Sequence, residues 1–363
     1  MTANERWYEC DERFIVGHHQ PGMLIDLALS RDIGGHRLLR GTGVFLEDIA
    51  AGAARFSQRQ FGQLIDNSIR LLDADDSSFL FGQRSLPGCY GNFSHVLQQA
   101  DNLQQALEDV VRFGSLFSPL LVPRMHLDDR YLCLYWPQSE ADAGRQRFLL
   151  EAAMTSVVAL GRSLCPQRSL PWRFLFNYRQ PRHIEQYWVH LGDALRFDQP
   201  LNMMLLPVEY ARQASPHANS TICAAVRQQC WQQLAALGFQ RSFVDYFYDH
   251  LYRNVREPLN LERIAATFGM SPATLKRKLR KHDSSFQQQW DRVRKHTALF
   301  LYWFNGLNNE EVAQYLNISD INNFRRTFRR WTGVTPSFLS SLPIPGTAPE
   351  KGGSAVGLSY LVI

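Results

Sequence analysis

Apolar residues in the last quarter of the chain recur at helical spacing in two segments, 259–282 and 307–331. In each segment the pattern predicts a short helix, a tight turn and a second, basic helix. The predicted small cores are Ile264, Ala265, Phe268, Leu275 and Leu279 in the first segment, and Val312, Ala313, Leu316, Phe324 and Phe328 in the second. The pattern predicts two tandem helix-turn-helix units, which are typical of proteins that read DNA.

The two units align through identical residues. Leu259, Asn260, Glu262, Ala265 and Ser271 recur 48 positions later as Leu307, Asn308, Glu310, Ala313 and Ser319. Arg277 and Arg280 recur 49 positions later, as Arg326 and Arg329. Because the offset changes at the start of the second reading helix, the units are not interchangeable. We therefore expect a non-palindromic DNA site, read as two different half-contacts about one helical turn apart.

The turn of each unit carries its own sequence signal. Gly269 stands where a positive φ angle is often required, and its counterpart Asn317 is a non-glycine residue that tolerates this conformation. Ser271 and Ser319 are predicted to cap the two reading helices, and Pro272 follows the first of them.

The exposed faces of the two basic helices supply the candidate DNA contacts. Arginine pairs with guanine and asparagine with adenine in the major groove. The predicted base-reading positions are Ala273, Thr274, Lys276 and Arg277 in the first unit, and Asn322, Asn323, Arg325 and Arg326 in the second. The predicted phosphate contacts are Lys278, Arg280, Lys281, Arg329 and Arg330. Arg277 and Arg326 are favoured for base contact because they occupy equivalent positions.

The segment between the units is predicted to be one helix from Ser285 to Phe304, with Trp290, Val293, His296 and Phe300 directed inward. A helix of about 20 residues spans ~30 Å, and one turn of DNA is ~34 Å. A rigid connector of this length could set the two reading helices in successive major grooves.

The first 215 residues show a mixed pattern that predicts an α+β domain with a small mixed sheet. We expect helices near 22–30, 45–51 and 57–73, one capped by Asp101 and Asn102 that runs to Phe113, and two more over 147–164 and 181–191. We expect a hairpin with strands at 120–124 and 131–136, and further strands at 172–178, 194–197 and 203–206.

The predicted organisation has four parts. An α+β sensor or dimerisation domain covers 1–215, a linker helix 216–240, an all-α domain of two helix-turn-helix units joined by a long helix 241–340, and a flexible tail 341–363. Charge follows this division. Residues 251–340 hold 15 Lys or Arg and 7 Asp or Glu, whereas the rest of the chain is slightly acidic. Such a basic block indicates a nucleic-acid-binding module.

Other classes of protein receive little support. No apolar run reaches the ~20 residues of a membrane helix, and the N-terminus lacks a secretory signal, so we expect a cytoplasmic protein. The six cysteines have no zinc or redox spacing and are expected to be buried thiols. His18 and His19 lack further ligands for a metal. No catalytic or nucleotide-binding motif is present, so we expect neither enzyme activity nor a cofactor.

Residues 259–339 resemble the DNA-binding domain of the AraC/XylS family of bacterial transcription regulators. The run from Ser319 to Phe338, which contains Phe324-Arg-Arg-Thr-Phe-Arg-Arg-Trp331, follows that family's signature. One departure is Asn317-Ile318, where the family usually has glycine and an aromatic residue. Residues 20–215 resemble the non-cupin, arabinose-binding-like N-terminal domain of one branch, through Leu38 to Gly43, Pro87 to Gly91 and Tyr187 to Gly192.

The resemblance implies a transcription activator that binds double-stranded DNA, contacts RNA polymerase, responds to a small-molecule effector and can form a homodimer. The residues themselves suggest an effector pocket only by type: Tyr90, His95, Arg124, Tyr135, Trp136 and Arg173 are polar or aromatic and lie beside predicted strands. One alternative is a dimerising or architectural DNA-binding protein with no ligand. Another is an enzyme that carries this DNA module, which would need a reactive cysteine motif that we do not find.

Overall fold

The computed structural model describes residues 6–137, 142–167 and 169–341. Contacts divide the chain into two units, one up to Ser242 and one from Phe243 onward. The strands are β1 Ile15–Val16, β2 Arg55–Phe56, β3 Arg124–Leu127, β4 Tyr131–Tyr135, β5 Arg173–Leu175, β6 Leu195–Arg196 and β7 Met203–Pro207. In the described part of the chain, no helix is long and apolar enough to cross a membrane.

The first unit also contains twelve helices in its described residues. They are α1 Gln20–Leu29, α2 Gly35–Leu38, α3 Leu46–Ala50, α4 Gln58–Leu72, α5 Ser77–Ser85, α6 Asn92–Gln98, α7 Leu103–Arg112, α8 Gly114–Phe117, α9 Ala143–Leu164, α10 Ile184–His190, α11 Val208–Ala211 and α12 Ser220–Leu237.

A five-stranded sheet in the order β3-β4-β7-β5-β6 confirms the predicted α+β class. Its strand pairs are antiparallel except β5 and β6, so the sheet is mixed. Leu132 and Leu134 alternate with Cys133 along β4 and join the main apolar core, together with Met204 of β7. One face of the sheet therefore closes this core, as the period of two along a strand requires.

The predicted hairpin forms, but its first strand lies later than expected. The 120–124 prediction was wrong, because β3 begins at Arg124 and extends through Leu127. Pro123, which has no N–H to give to a strand ladder, stands just before it. The turn follows instead from Asp128, whose Oδ1 accepts the backbone N–H groups of Arg130 at 2.8 Å and Tyr131 at 2.6 Å.

Helices α5 and α9 pack closely because small residues lie between them. A Cβ added to Gly82 would overlap the carbonyl oxygen of Ala152 and lie 2.8 Å from Cβ of Thr155. Beside this contact, the buried carboxylate of Glu151 accepts a hydrogen bond from Ser78 Oγ at 2.6 Å and another from the Tyr187 hydroxyl. These bonds tie α5, α9 and α10 together, and periodicity alone did not reveal α5.

The segment expected as a linker helix packs on the first unit. α12 lies against α6 and buries Cys223 and Cys230, as expected for two thiols on one face. Arg227 donates to both carboxylate oxygens of the buried Asp109, with Nη2 2.8 Å from Oδ2. The limits 1–215, 216–240, 241–340 and 341–363 stay predictions, and residues 342–363 of the tail lie outside the described ranges. Of the six cysteines, Cys89 is exposed, contrary to expectation.

The second unit is entirely helical in its described residues. Its helices are α13 Phe243–Arg253, α14 Leu261–Thr267, α15 Pro272–Lys281, α16 Phe286–Trp303, α17 Asn309–Tyr315, α18 Ile321–Thr332 and α19 Pro336–Ser341. The predicted connector is confirmed as α16, which begins after its cap Ser285 and buries Trp290, Val293, His296 and Phe300. It packs against α13, α17 and α18.

Candidate nucleic-acid interface

The first helix-turn-helix unit consists of α14 and α15. Asn260 caps α14 by accepting the backbone N–H of Arg263 at 2.8 Å. Gly269 then reverses the chain with φ +65°, as predicted. Ser271 caps α15 by accepting the backbone N–H of Thr274 at 3.2 Å. Local capping thus defines both ends of the turn, and the buried Leu275 of α15 packs inward.

The second helix-turn-helix unit, which consists of α17 and α18, repeats this geometry with different capping residues. Asn308 and Glu311 form a reciprocal capping box at the start of α17, with distances of 3.0 and 2.7 Å. Asn317 adopts φ +56° at the turn. The predicted cap at Ser319 was wrong, because Asp320 is the cap and accepts the backbone N–H of Asn322 at 2.9 Å. The cap has moved by one residue, which explains the change of offset from 48 to 49.

Arg277 and Arg326 occupy the outermost position of their helices. Each lies two residues after one buried apolar residue and two before the next, Leu275 and Leu279 in α15 and Phe324 and Phe328 in α18. At 3.6 residues per turn, this spacing places them opposite the core. The same outward face carries Ala273, Arg280 and Lys281 in α15, and Asn322, Arg329 and Arg330 in α18. All of these except the half-buried Lys281 are exposed.

The remaining predicted contacts lie on the flanks of the reading helices. Thr274 Oγ1 is 3.0 Å from Ser271 Oγ, and the Lys278 ammonium lies 5.2 Å above the centre of the Phe243 ring. Asn323 Oδ1 accepts from Thr327 Oγ1 at 3.4 Å. Lys276 and Arg325 occupy equivalent exposed positions about a quarter turn from the core side.

Two arginines of α18 form ion pairs within the protein. Arg325 Nη2 is 3.9 Å from Glu310 Oε1, and Arg330 Nη2 is 3.5 Å from Asp291 Oδ2. Arg325, Glu310 and Arg330 are exposed and Asp291 is partly buried, and pairs this open to solvent contribute little stability. They direct two guanidinium groups toward α17 and α16, whereas Arg326 has the position opposite the core.

The six effector candidates do not converge on one site. Arg124 and Tyr135 are register partners on β3 and β4, and Arg173 lies on the same face of the sheet. Trp136 is on the opposite face, in the main core. Tyr90 is buried beside His19, with ring centres 5.2 Å apart, and His95 is exposed on α6. Residue type without tertiary contacts could not separate these locations.

Trp136 lines a small cavity in the core of the first unit. The space open to the centre of a water molecule is ≈ 30 Å³. Its walls come from α1, α5, α7, α8, α9 and the segments that lead into and out of the β3–β4 hairpin. Sequence reasoning identified Trp136 but missed the rest of the lining, which includes Gln20, Ser85 and Ser156.

Comparisons with known proteins agree with this geometry. Residues 34–215 match the family described as the arabinose-binding domain of AraC transcription regulators, and residues 264–340 match a helix-turn-helix domain family. The two matches and the paired reading helices define a DNA-binding transcription regulator. The chain belongs to the AraC family of these regulators, with an arabinose-binding-like N-terminal domain.

Several individual proteins are similar to this chain. The ornithine utilization regulator of Pseudomonas aeruginosa is 26% identical over 320 residues, which cover 88% of this chain and 94% of the relative. The regulator GadX of Escherichia coli K12 is 33% identical over 84 residues, or 23% of this chain and 31% of the relative. The crystal structure of the regulator CdpR from Pseudomonas aeruginosa aligns with 89% of this chain and 98% of its own, at a TM-score of 0.43 and 15% identity.

Proposed function

We propose that the protein reads a non-palindromic DNA site with α15 and α18 and, in response to a small-molecule effector, activates transcription. The observation that carries the DNA-reading part is the equivalent outward position of Arg277 and Arg326. Arginine at such a position pairs with guanine in the major groove. Asn322 would add an adenine contact in the second half-site only, since its counterpart is Ala273.

The connector supports reading from one side of the DNA. At ~1.5 Å per residue, the 18 residues of α16 span ~27 Å, and one turn of DNA is ~34 Å. Arg280, Lys281, Arg329 and Arg330 would then contact phosphates beside the bases read by their helices.

The first test is selection of binding sites from random DNA by the full chain. We expect two unlike half-sites whose centres lie about ten base pairs apart. A single palindromic site would contradict the proposed reading by one chain. The selected site, placed before a reporter promoter, then tests activation with RNA polymerase, and a fall in transcription on adding the protein would contradict an activator role.

Control by an effector is proposed for the first unit, because it belongs to the arabinose-binding-like class and contains the cavity beside Trp136. The relative from Pseudomonas aeruginosa is named for ornithine utilization. We do not propose ornithine for this chain, since no described residue that lines the cavity carries a charge for its ammonium and carboxylate groups.

The second candidate function is a ligand-independent, dimerising DNA-binding protein. The small volume of the cavity favours it. Reporter assays with a metabolite panel separate the two functions: an effector-controlled regulator changes its output with one compound, whereas an architectural protein does not. Sedimentation of the full chain tests the proposed homodimer.

A further inference from the structure

Both ring nitrogens of His183 face a carboxylate in the part of the chain up to Ser242. Nδ1 lies 3.1 Å from Oδ1 of Asp75, and Nε2 lies 3.8 Å from Oε1 of Glu151. We propose that His183 is a pH-sensitive switch: its charged ring fixes α10 to α9, and loss of the ring proton loosens α10. This inference adds a response to pH that neither DNA reading nor effector binding requires, and it does not rest on the proposed function.

Glu151 of α9 is the buried centre of this cluster. It is 4% exposed and accepts hydrogen bonds from Ser78 Oγ of α5, at 2.6 Å, and from the Tyr187 hydroxyl of α10. Arg147, one turn earlier on α9, has its Nε 3.7 Å from Glu151 Oε1, but its side chain is 45% exposed. The side chain of His183 is only 10% exposed, so its charge acts on Glu151 with little screening by water.

The two carboxylates suit the charged form of the ring. An imidazolium has an N–H on each nitrogen, whereas a neutral imidazole has only one. The charged ring therefore directs an N–H toward Asp75 and another toward Glu151, and the neutral ring leaves one of them without a donor. Interaction with Glu151 accordingly raises the pKa of His183 above its ordinary value, and Asp75 adds to the rise, while burial and Arg147 oppose it.

The other ionisable groups around α10 behave differently near neutral pH. Burial is the main reason that the pKa values of Tyr178 and Tyr187 lie above the ordinary value, so both hydroxyls keep their protons. They form a hydrogen bond of 3.2 Å with each other. His190, the last residue of α10, has its pKa lowered, mainly by burial. Above about pH 6.5, the ordinary pKa of histidine, His190 is therefore neutral while His183 still loses its proton.

Helix α10 depends on this cluster for its attachment. Its seven residues, Ile184–His190, follow His183 directly, and the His183 side chain does not cap the first turn. A helix this short is unstable by itself in water. Tyr187 is fully buried, but Trp188 and Val189 are 55% and 69% exposed. Loss of the attachment should therefore open α10 locally, since few apolar contacts hold its outer side.

The direction of the pH dependence follows from the raised pKa. A histidine with a higher pKa in the folded chain than in the unfolded chain stabilises the fold fully below the unfolded value of about 6.5. That contribution is lost as the pH rises through the pKa of folded His183. The protection of α10 against local opening should therefore fall as the solution becomes more alkaline.

The first experiment measures amide hydrogen exchange of the full chain from about pH 6.5 to about pH 9, with rates corrected for the intrinsic effect of pH. We expect the protection of α10 to fall severalfold in the wild type. In His183→Gln, whose amide does not titrate, it should be low throughout. Helix α4 is the internal control, because it contains no histidine and no residue of the cluster. Constant protection of α10 in the wild type, or an equal fall in His183→Gln, would overturn the proposal.

His217→Gln is the matched control variant. His217 is exposed in the segment before α12 and lies outside the cluster. We expect this variant to keep the wild-type fall in the protection of α10. If both variants lose the pH dependence, the effect does not belong to His183 and the switch is contradicted.

A direct titration tests the switch even if His183→Gln fails to fold. NMR of the histidine ring signals gives the pKa of His183 in the wild-type chain, and we expect a value above the ordinary value of about 6.5. Asp75→Asn identifies the signal, because it removes the exposed carboxylate, leaves Glu151 in place and should lower the pKa of His183. A wild-type pKa at or below the ordinary value would overturn the proposal.

Discussion

The two helix-turn-helix units share one backbone plan but present different chemistry. Both place a residue with positive φ at the turn, Gly269 in one and Asn317 in the other. Both place an arginine opposite the core of the reading helix. They differ at the cap, which is Ser271 in the first unit and Asp320 in the second. The comparison teaches that conformation is repeated where the fold needs it, while the exposed side chains diverge.

Removing a core side chain from either reading helix should give the largest loss of stability, and the larger side chain of the second helix should cost slightly more. Phe328 is fully buried, with its ring 5.5 Å from that of Tyr302, whereas Leu279 is the equivalent residue of α15. We expect Phe328→Ala to lower the free energy of unfolding by ~3–5 kcal/mol and Leu279→Ala by ~2–5 kcal/mol. Urea denaturation of the full chain measures both. Losses below ~1 kcal/mol would mean that these residues do not form the cores.

The reading arginines should separate specific from non-specific binding. We expect Arg326→Ala to cost ~1–3 kcal/mol on the selected site and much less on random DNA, and Arg277→Ala to act in the same way on the other half-site. Fluorescence anisotropy at fixed salt concentration measures both affinities. Phe338→Ala is the control, because Phe338 is exposed outside both reading helices. Equal loss on both DNAs would count against base reading.

The turns should respond in opposite directions to small substitutions. Gly269 has φ +65° and no atom near an added Cβ, so Gly269→Ala should cost ~1–2 kcal/mol through backbone conformation alone. Asn317→Gly should be neutral or slightly stabilising, since glycine adopts this conformation freely. Thermal unfolding checks both, and a destabilising Asn317→Gly would show that its side chain has another role.

The caps give the smallest expected effect and test the change of register directly. Asp320→Ala should cost ~1 kcal/mol, because Asp320 accepts the N–H of Asn322, whereas Ser319→Ala should have almost no effect. The matched change in the first unit is Ser271→Ala, for which we also expect ~1 kcal/mol. If Ser319→Ala destabilises the protein more than Asp320→Ala, then Asp320 is not the cap of α18.

How far the sequence could predict the fold differs between the part of the chain up to Ser242 and the part from Phe243 onward. From Phe243 onward, caps and apolar spacing located the connector α16 correctly, and only Ser319 was misplaced as a cap. In the part up to Ser242, helices α5 and α6 were missed, because a glycine and short apolar runs obscure the helical spacing of their apolar residues. Strand β3 was placed too early because an apolar run includes Leu120 and Leu121, which precede Pro123.

The candidate sites show the same difference. The outward positions of Arg277 and Arg326 follow from helical spacing alone, although their contacts with DNA stay predictions. The effector candidates were chosen by residue type, and the structure divides them between two faces of the sheet and two other places. No local pattern connects Gln20, Ser85, Trp136 and Ser156, which come from four distant segments.

The sequence by itself determined the tandem helix-turn-helix units, their turn conformations and the basic reading faces. Each of these depends on residues within about ten positions of one another, where backbone geometry and capping act. Only the tertiary structure decided the course of the sheet, the packing of α12 on α6 and the small cavity that Trp136 lines. These features depend on which distant residues meet, and burial and shape decide that only when the whole chain folds.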